Sequence, residues 1–180
     1  MTDIFISCSL KDIEWVKRIQ EHLAPLLERK NLSLWSYDFI YPGENWQETI
    51  EKSIKESQVI IVLISENYLN SSLPEVELSL ISKKYHQDSV KIFPVIISSV
   101  SQSSVPDLFQ MIQAFGSVSK PLSDLSKEGQ EKALSELTKI IDDCVSAKPQ
   151  NIHIKIANMG NITDNVFVNI ANNLAKDHEQ

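Results

Sequence analysis

An α/β fold is predicted: a five-stranded parallel sheet with helices on both faces, followed by a short β-type appendage at the C-terminus. Three features of the sequence carry this expectation. Short β-branched runs alternate with stretches of helical periodicity. One of those runs, Gln58–Ser65, is apolar almost throughout. The tail beyond residue 150 abandons helical spacing for strict alternation. Alternating strands and helices imply a parallel sheet with right-handed crossovers. A run that is apolar on both of its faces marks a strand in the middle of such a sheet.

The first strand is Ile4-Phe5-Ile6, followed by a helix from about Leu10 to Arg29. Ile13, Val16, Ile19, Leu23 and Leu26 recur at three- and four-residue steps and give that helix one buried face. Ser9 and Asp12 have the spacing of a capping box at its start, and Pro25 is expected to kink or tighten its last turn. Leu32–Trp35 is the second strand. After the loop Asp38–Glu44 comes a helix with Trp46, Ile50 and Ile54 four residues apart. Gln58–Ser65 is the third strand, and a helix from about Leu73 to His86 follows. Lys91–Ser98 is the fourth strand, where Pro94 implies an edge position or a bulge. Pro106–Gln113 reads as a short helix and Phe115–Val118 as a short fifth strand. The last helix runs over about Lys127–Val145, with Leu134, Leu137, Ile141 and Val145 on its apolar face.

Residues 1–147 form the main domain in this reading, with a boundary at Lys148-Pro149-Gln150 and an extension over 148–180. Within the extension, NIHIKIAN from Asn151 and NVFVNIAN from Asn165 repeat with a period of 14 residues, and Gly160-Asn161 supplies a turn between them. Three readings are open: a hairpin packed on the domain or a dimer partner, a self-assembly segment of stacked strands, and a disordered or truncated end.

Composition removes several function classes. A net charge of −7 with no basic patch argues against nucleic acid or an anionic membrane as partner. Cys8 and Cys144 are far apart and the four histidines are scattered, so neither a metal site nor a disulfide framework is expected. The start MTDIFIS does not read as a signal peptide, and no stretch approaches the ~20 apolar residues of a membrane span, so a cytoplasmic protein is expected. With four glycines there is no phosphate-cradling loop and no nucleophile elbow.

What remains is carboxylates, and one of them is out of place. In the helix that opens Ser72-Leu73-Pro74-Glu75-Val76-Glu77, Ser72 suits the N-cap, Pro74 the first turn and Glu75 a capping box. At about 100° per residue, Leu73, Val76, Leu80 and Ile81 share one apolar arc. Glu77 points into that arc, whereas Glu75 lies on the opposite side. Desolvation there should raise the Glu77 pKa, with the helix N-terminus partly offsetting it. A plain helix-dipole role is the alternative for the same residue.

Across about residues 3–145 the sequence resembles the TIR domain family, particularly its bacterial members. DIFISCS with Lys11-Asp12 resembles the family's first box. LWSYDFIYPGENW resembles the tryptophan-to-Pro-Gly loop, with Pro42-Gly43 followed by Trp46. SENYLNSSLPEVEL resembles the block that ends in the family glutamate, and KPLSDLSKEGQEKALSEL the approach to the last helix. The resemblance implies the flavodoxin-like TIR fold and an enzyme that hydrolyses or cyclises NAD. It places the catalytic carboxylate on Glu77, with substrate contacts from Ser7, Cys8, Ser9, Asp38, Tyr41, Trp46 and Leu73. NAD is then substrate, with no cofactor and no metal, and TIR–TIR self-association is implied.

The chain departs from the family pattern at Leu73, where many NAD-cleaving members have tryptophan, and at Cys8, where an aromatic or histidine is usual. Ser36 and Tyr37 stand where acids often follow the loop tryptophan. Three functions are therefore carried forward: an NAD-cleaving defence effector activated by self-association, a non-catalytic signalling scaffold, and a synthase of a cyclic ADP-ribose-type messenger.

Overall fold

The computed structural model describes residues 3–39, 43, 45–71, 74–87 and 90–146, with the backbone alone for residues 38 and 74–76. The repeat at 151–172, the turn expected at Gly160-Asn161, the boundary expected at Lys148-Pro149-Gln150 and the expected N-cap Ser72 lie outside the described residues.

Four strands form one parallel sheet in the order β2-β1-β3-β4. They are β1 (Ile4–Ser7), β2 (Leu34–Trp35), β3 (Val59–Ile64) and β4 (Lys91–Ile96). Every residue of β1 and β3 is buried, as expected for central strands under helices on both faces. The register sets Ile4 opposite Val59 and Ser7 opposite Val62. Helix α1 (Ile13–Lys30) crosses from β1 to β2, and α2 (Trp46–Glu56) from β2 to β3. The short α3 (Glu66–Leu69) and then α4 (Pro74–His86) lead from β3 to β4. After β4 come α5 (Asp107–Met111) and α6 (Lys127–Ser146).

Helices α1 and α6 lie together. They bury Val16, Ile19, Leu23 and Leu26 from one and Leu134, Leu137 and Ile141 from the other, and Arg18 and Arg29 reach Glu131 and Asp142 across the seam. Helices α2 and α4 are paired likewise. The Lys84 ammonium on α4 donates to the Ile54, Lys55 and Ser57 carbonyls at the end of α2, satisfying acceptors that a helix end leaves open.

Several expectations change. The Ser9/Asp12 capping box does not form. Ser9 instead caps a 3-10 turn over Leu10–Asp12 by accepting the Lys11 N–H at 3.3 Å. The Asp12 carboxylate turns inward, because the buried Ser65 hydroxyl and the Asn67 amide both donate to it. Helix α1 runs through Pro25 without a break and stops at Asn31, whose left-handed backbone (φ 52°) closes the end. The second strand contracts to two residues, and α3 appears between the third strand and the next helix, where no element was expected.

The fifth strand, Phe115–Val118, is reduced to a parallel bridge between Phe115 and Val95 and an antiparallel one between Ser117 and Lys120. Gly116 takes φ 82° immediately after Phe115, a conformation that ends a strand. Pro94 fits the edge reading. Its carbonyl accepts the Phe115 N–H at 2.7 Å on the outer side of β4. A strand residue's nitrogen faces the same way as its carbonyl, so the missing N–H costs nothing in the β3 ladder.

Candidate active site

In this strand order the chain leaves β1 for β2 on one side and returns to β3 on the other. The reversal lies at the carboxyl ends of β1 and β3, the place where open α/β sheets bind ligands. Ser7, the last residue of β1, is fully buried there.

Glu77 comes to the same point from the second turn of α4. It is 1% exposed, and Ile81, one turn on, is fully buried, so the carboxylate lies on the inward side as the helical spacing predicts. Ser7 Oγ donates to Glu77 Oε2 at 2.6 Å, joining residues 70 apart in sequence. Glu77 Oε1 is buried and finds no partner among the described residues. Burial pushes the Glu77 carboxyl up to about 7, and the bond from Ser7 pulls it part of the way back. At neutral pH the group is therefore poised between its two forms, a property typical of residues with chemistry to do.

Behind Ser7 stands Tyr68 on α3, its hydroxyl 3.1 Å from Ser7 Oγ. Tyr68 is 1% exposed. Burial raises its pKa to about 12, against a lowering bond to Ser7 and with a raising contribution from neighbouring Cys8. The phenol thus keeps its proton at any working pH. Helix α3 is itself anchored. Ser65 Oγ accepts the Tyr68 N–H at 2.9 Å and donates to Asp12 Oδ2 at 2.5 Å, while Asn67 Nδ2 donates to Asp12 Oδ1 at 2.8 Å.

Of the residues singled out in the sequence, Ser7 and Glu77 are brought together directly. Cys8 follows Ser7 and is buried. Ser9 is buried too, its oxygen serving the turn before α1. Asp38 lies in the 3-10 turn Tyr37–Phe39, and Trp46 starts α2 at 44% exposure, so it is not a core residue. Tyr41 and Leu73 lie outside the described residues. Sequence reasoning missed Tyr68, Ser65 and the inward role of Asp12. The available signal was the Ser65–Tyr68 spacing, in which a serine that caps a one-turn helix sets the residue three positions on.

Among the described residues no group of histidines, cysteines and carboxylates has the arrangement of a metal site. Nor is any described helix long and apolar enough to cross a membrane. Two concavities, of about 390 and 310 Å3, lie between α1 and α6 and beyond β4, and Glu77 lines neither. What the site offers is a desolvated carboxylate with one oxygen held and the other unpaired. Such a group can accept hydrogen bonds from hydroxyls or face a developing positive charge.

The comparisons with known proteins agree with this fold. A probable 2' cyclic ADP-D-ribose synthase, TcpO of Methanobrevibacter olleyae, is 33% identical over 96 residues, 52% of this chain and 27% of that protein. The NAD(+) hydrolase TcpA of Theionarchaea archaeon (strain DG-70-1) is 25% identical over 141 residues, 77% of this chain and 40% of that protein. Disease resistance protein RPP4 of Arabidopsis thaliana is 28% identical over 162 residues, 87% of this chain and 14% of that protein. The chain thus spans less than half the length of each of these curated relatives. Among solved structures, a prokaryotic SEFIR domain superposes with a TM-score of 0.53 at 18% identity, covering 84% of this chain and 99% of that one. The TIR domain heterodimer of RPS4 and RRS1 gives 0.52 at 14% identity, covering 79% and 97%. The family model for the TIR domain matches residues 4–138, three-quarters of the sequence. The chain belongs to the TIR domain family.

Proposed function

We propose that this chain cleaves the nicotinamide–ribose bond of NAD and that Glu77 is its catalytic residue. The observation that carries the reading is the Glu77 carboxylate, 1% exposed, fixed through Oε2 by Ser7 and unpaired at Oε1. Nicotinamide is cationic in NAD and leaves as a neutral base, so departure needs no strong acid. The electron pair of the broken C–N bond goes with nicotinamide, and the ribose is left as an oxocarbenium-like cation. A carboxylate beside it stabilises that charge and orients the sugar hydroxyls. Water then adds to the anomeric carbon and loses a proton, giving ADP-ribose. NAD is substrate here, and the chemistry calls for neither cofactor nor metal.

Trp46, exposed at the start of α2, is an aromatic available for stacking. Ser7, Cys8, Ser9, Asp38, Tyr41 and Leu73 complete the proposed contact set. Because Glu77 is sealed, a ribose reaches it only when the side chains around it move apart. A site closed in the isolated chain suits an effector that is switched on by self-association, the defence role we propose alongside the chemistry. The relative named a cyclic ADP-ribose synthase favours a second outcome at the same site, in which a ribose or base group of the same molecule, instead of water, captures the cation.

The test is NAD consumption by concentrated or artificially clustered protein, with Glu77→Gln beside the parent and both products analysed. Loss of NAD from the parent alone supports the assignment, and ADP-ribose against a cyclic product separates hydrolase from synthase. Equal loss from both chains removes Glu77 from the mechanism. No loss from either leaves the non-catalytic scaffold.

A further inference from the structure

Ser7 carries one hydroxyl proton but makes two hydrogen bonds, to Glu77 Oε2 at 2.6 Å and to the Tyr68 hydroxyl at 3.1 Å. An ionised carboxylate only accepts, so the Ser7 proton is committed to Glu77 and the Tyr68 phenol must be the donor to Ser7. We propose that Tyr68 is a positioning residue for Glu77: its hydroxyl locks the Ser7 rotor, aims the Ser7 proton at Oε2 and leaves Oε1 as the oxygen that faces substrate. The inference rests on the proposed function for its catalytic consequence, but not for the hydrogen-bond chain itself.

Direction gives the chain its effect. With Glu77 ionised, each hydroxyl in the sequence Tyr68 to Ser7 to Glu77 donates to the next, and such chains strengthen one another in a dry interior. With Glu77 protonated on Oε2, that proton goes to Ser7, and either the Ser7 proton or the phenol proton is left without an acceptor among those described. Protonated on Oε1 instead, the carboxyl holds its own buried proton unpaired. Only the ionised form gives every proton of the three groups an acceptor. Tyr68 thus favours the charged form of Glu77 without touching it.

Other described titratable groups on the surrounding elements are engaged elsewhere or exposed. Asp12, before α1, is held by Ser65 and Asn67. Lys84, on α4, caps α2. Cys8, after β1, acts on Tyr68. Glu66 on α3 is exposed.

The experiment follows the Glu77 ionisation through the pH dependence of urea stability, without NAD, in the parent, Tyr68→Phe and Ser7→Ala. Tyr37→Phe is the control, because the Tyr37 hydroxyl is also buried but has no partner among the described residues. The expected result is an upward move of the midpoint by roughly half to one pH unit in Tyr68→Phe, a larger move in Ser7→Ala and none in Tyr37→Phe. A Tyr68→Phe midpoint equal to the parent's, or matched by Tyr37→Phe, overturns the proposal. Ser7→Ala removes the last link directly, and a parental midpoint there overturns it as well.

NAD cleavage at pH 6.5 and 8.5 supplies the second readout. Tyr68→Phe should lose about threefold or more in kcat at the lower pH and recover at the higher one, whereas general damage lowers both. A shifted midpoint with no NAD cleavage by any chain keeps the positioning role and removes the proposed activity. An unmoved midpoint with Glu77-dependent cleavage does the reverse.

Discussion

Glu77→Gln keeps the oxygen that Ser7 addresses and removes the charge, which makes it a probe of stability as well as of activity. In the folded chain the Glu77 carboxyl titrates near 7, against an ordinary 4.5. The folded state therefore holds this proton more tightly than the unfolded state does. The sign follows from linkage: the contribution to stability is fully present below about 4.5, falls as pH rises between about 4.5 and 7, and is gone above. A difference of about 2.5 at roughly 1.36 kcal/mol each is about 3 kcal/mol. Since glutamine does not titrate, the stability gap between parent and variant should change by about 3 kcal/mol from pH 4 to pH 8, in favour of the variant. Any constant offset from the new amide cancels in that comparison. For a domain of this size the change corresponds to roughly 6–12 °C in Tm. Urea titrations at half-unit pH steps would measure it. A gap that stays constant across the range, or that moves against the variant as pH rises, would refute the claim that Glu77 is a desolvated carboxylate.

Two further outcomes follow from the same network and from the sheet edge. Asp12→Ala strips the buried Ser65 hydroxyl and the Asn67 amide of their shared acceptor, and charged hydrogen bonds of this kind place the loss at about 3 kcal/mol of unfolding free energy. Gly116→Ala forces a side chain into φ 82° with its Cβ 3.2 Å from the Ile96 carbonyl oxygen, and should lower stability by about 2 kcal/mol. A change within a few tenths for either variant, measured in urea, contradicts the role given to that residue.

The sheet was legible because its central strands are apolar along their whole length, a pattern that cover on both faces demands and a half-exposed strand does not. The inward turn of Glu77 was legible for a similar reason: helical spacing alone puts it among Leu80 and Ile81. Its partner was not. Ser7 reaches Glu77 only because the parallel register ends β1 beside β3, and that register joins residues too far apart for local spacing to reveal. Asp12 shows the converse. Local rules assign it to a cap, but the Ser65 hydroxyl and the Asn67 amide at the start of α3 outcompete the backbone at a helix start. At Phe115–Val118 the expected strand is reduced to two isolated bridges. What ended the strand was the positive φ of Gly116, which residue type permits but does not dictate.

The central claim joins an ionisation to a reaction, and the pH profile of kcat/KM for NAD cleavage by the parent chain tests the two together. That parameter reports the free enzyme's essential groups. It should rise about tenfold per pH unit on the acid side and level off above about 7, where the stability titration of Glu77 also reaches its upper limit. A profile that is flat from pH 5.5 to 8.5 would contradict the account.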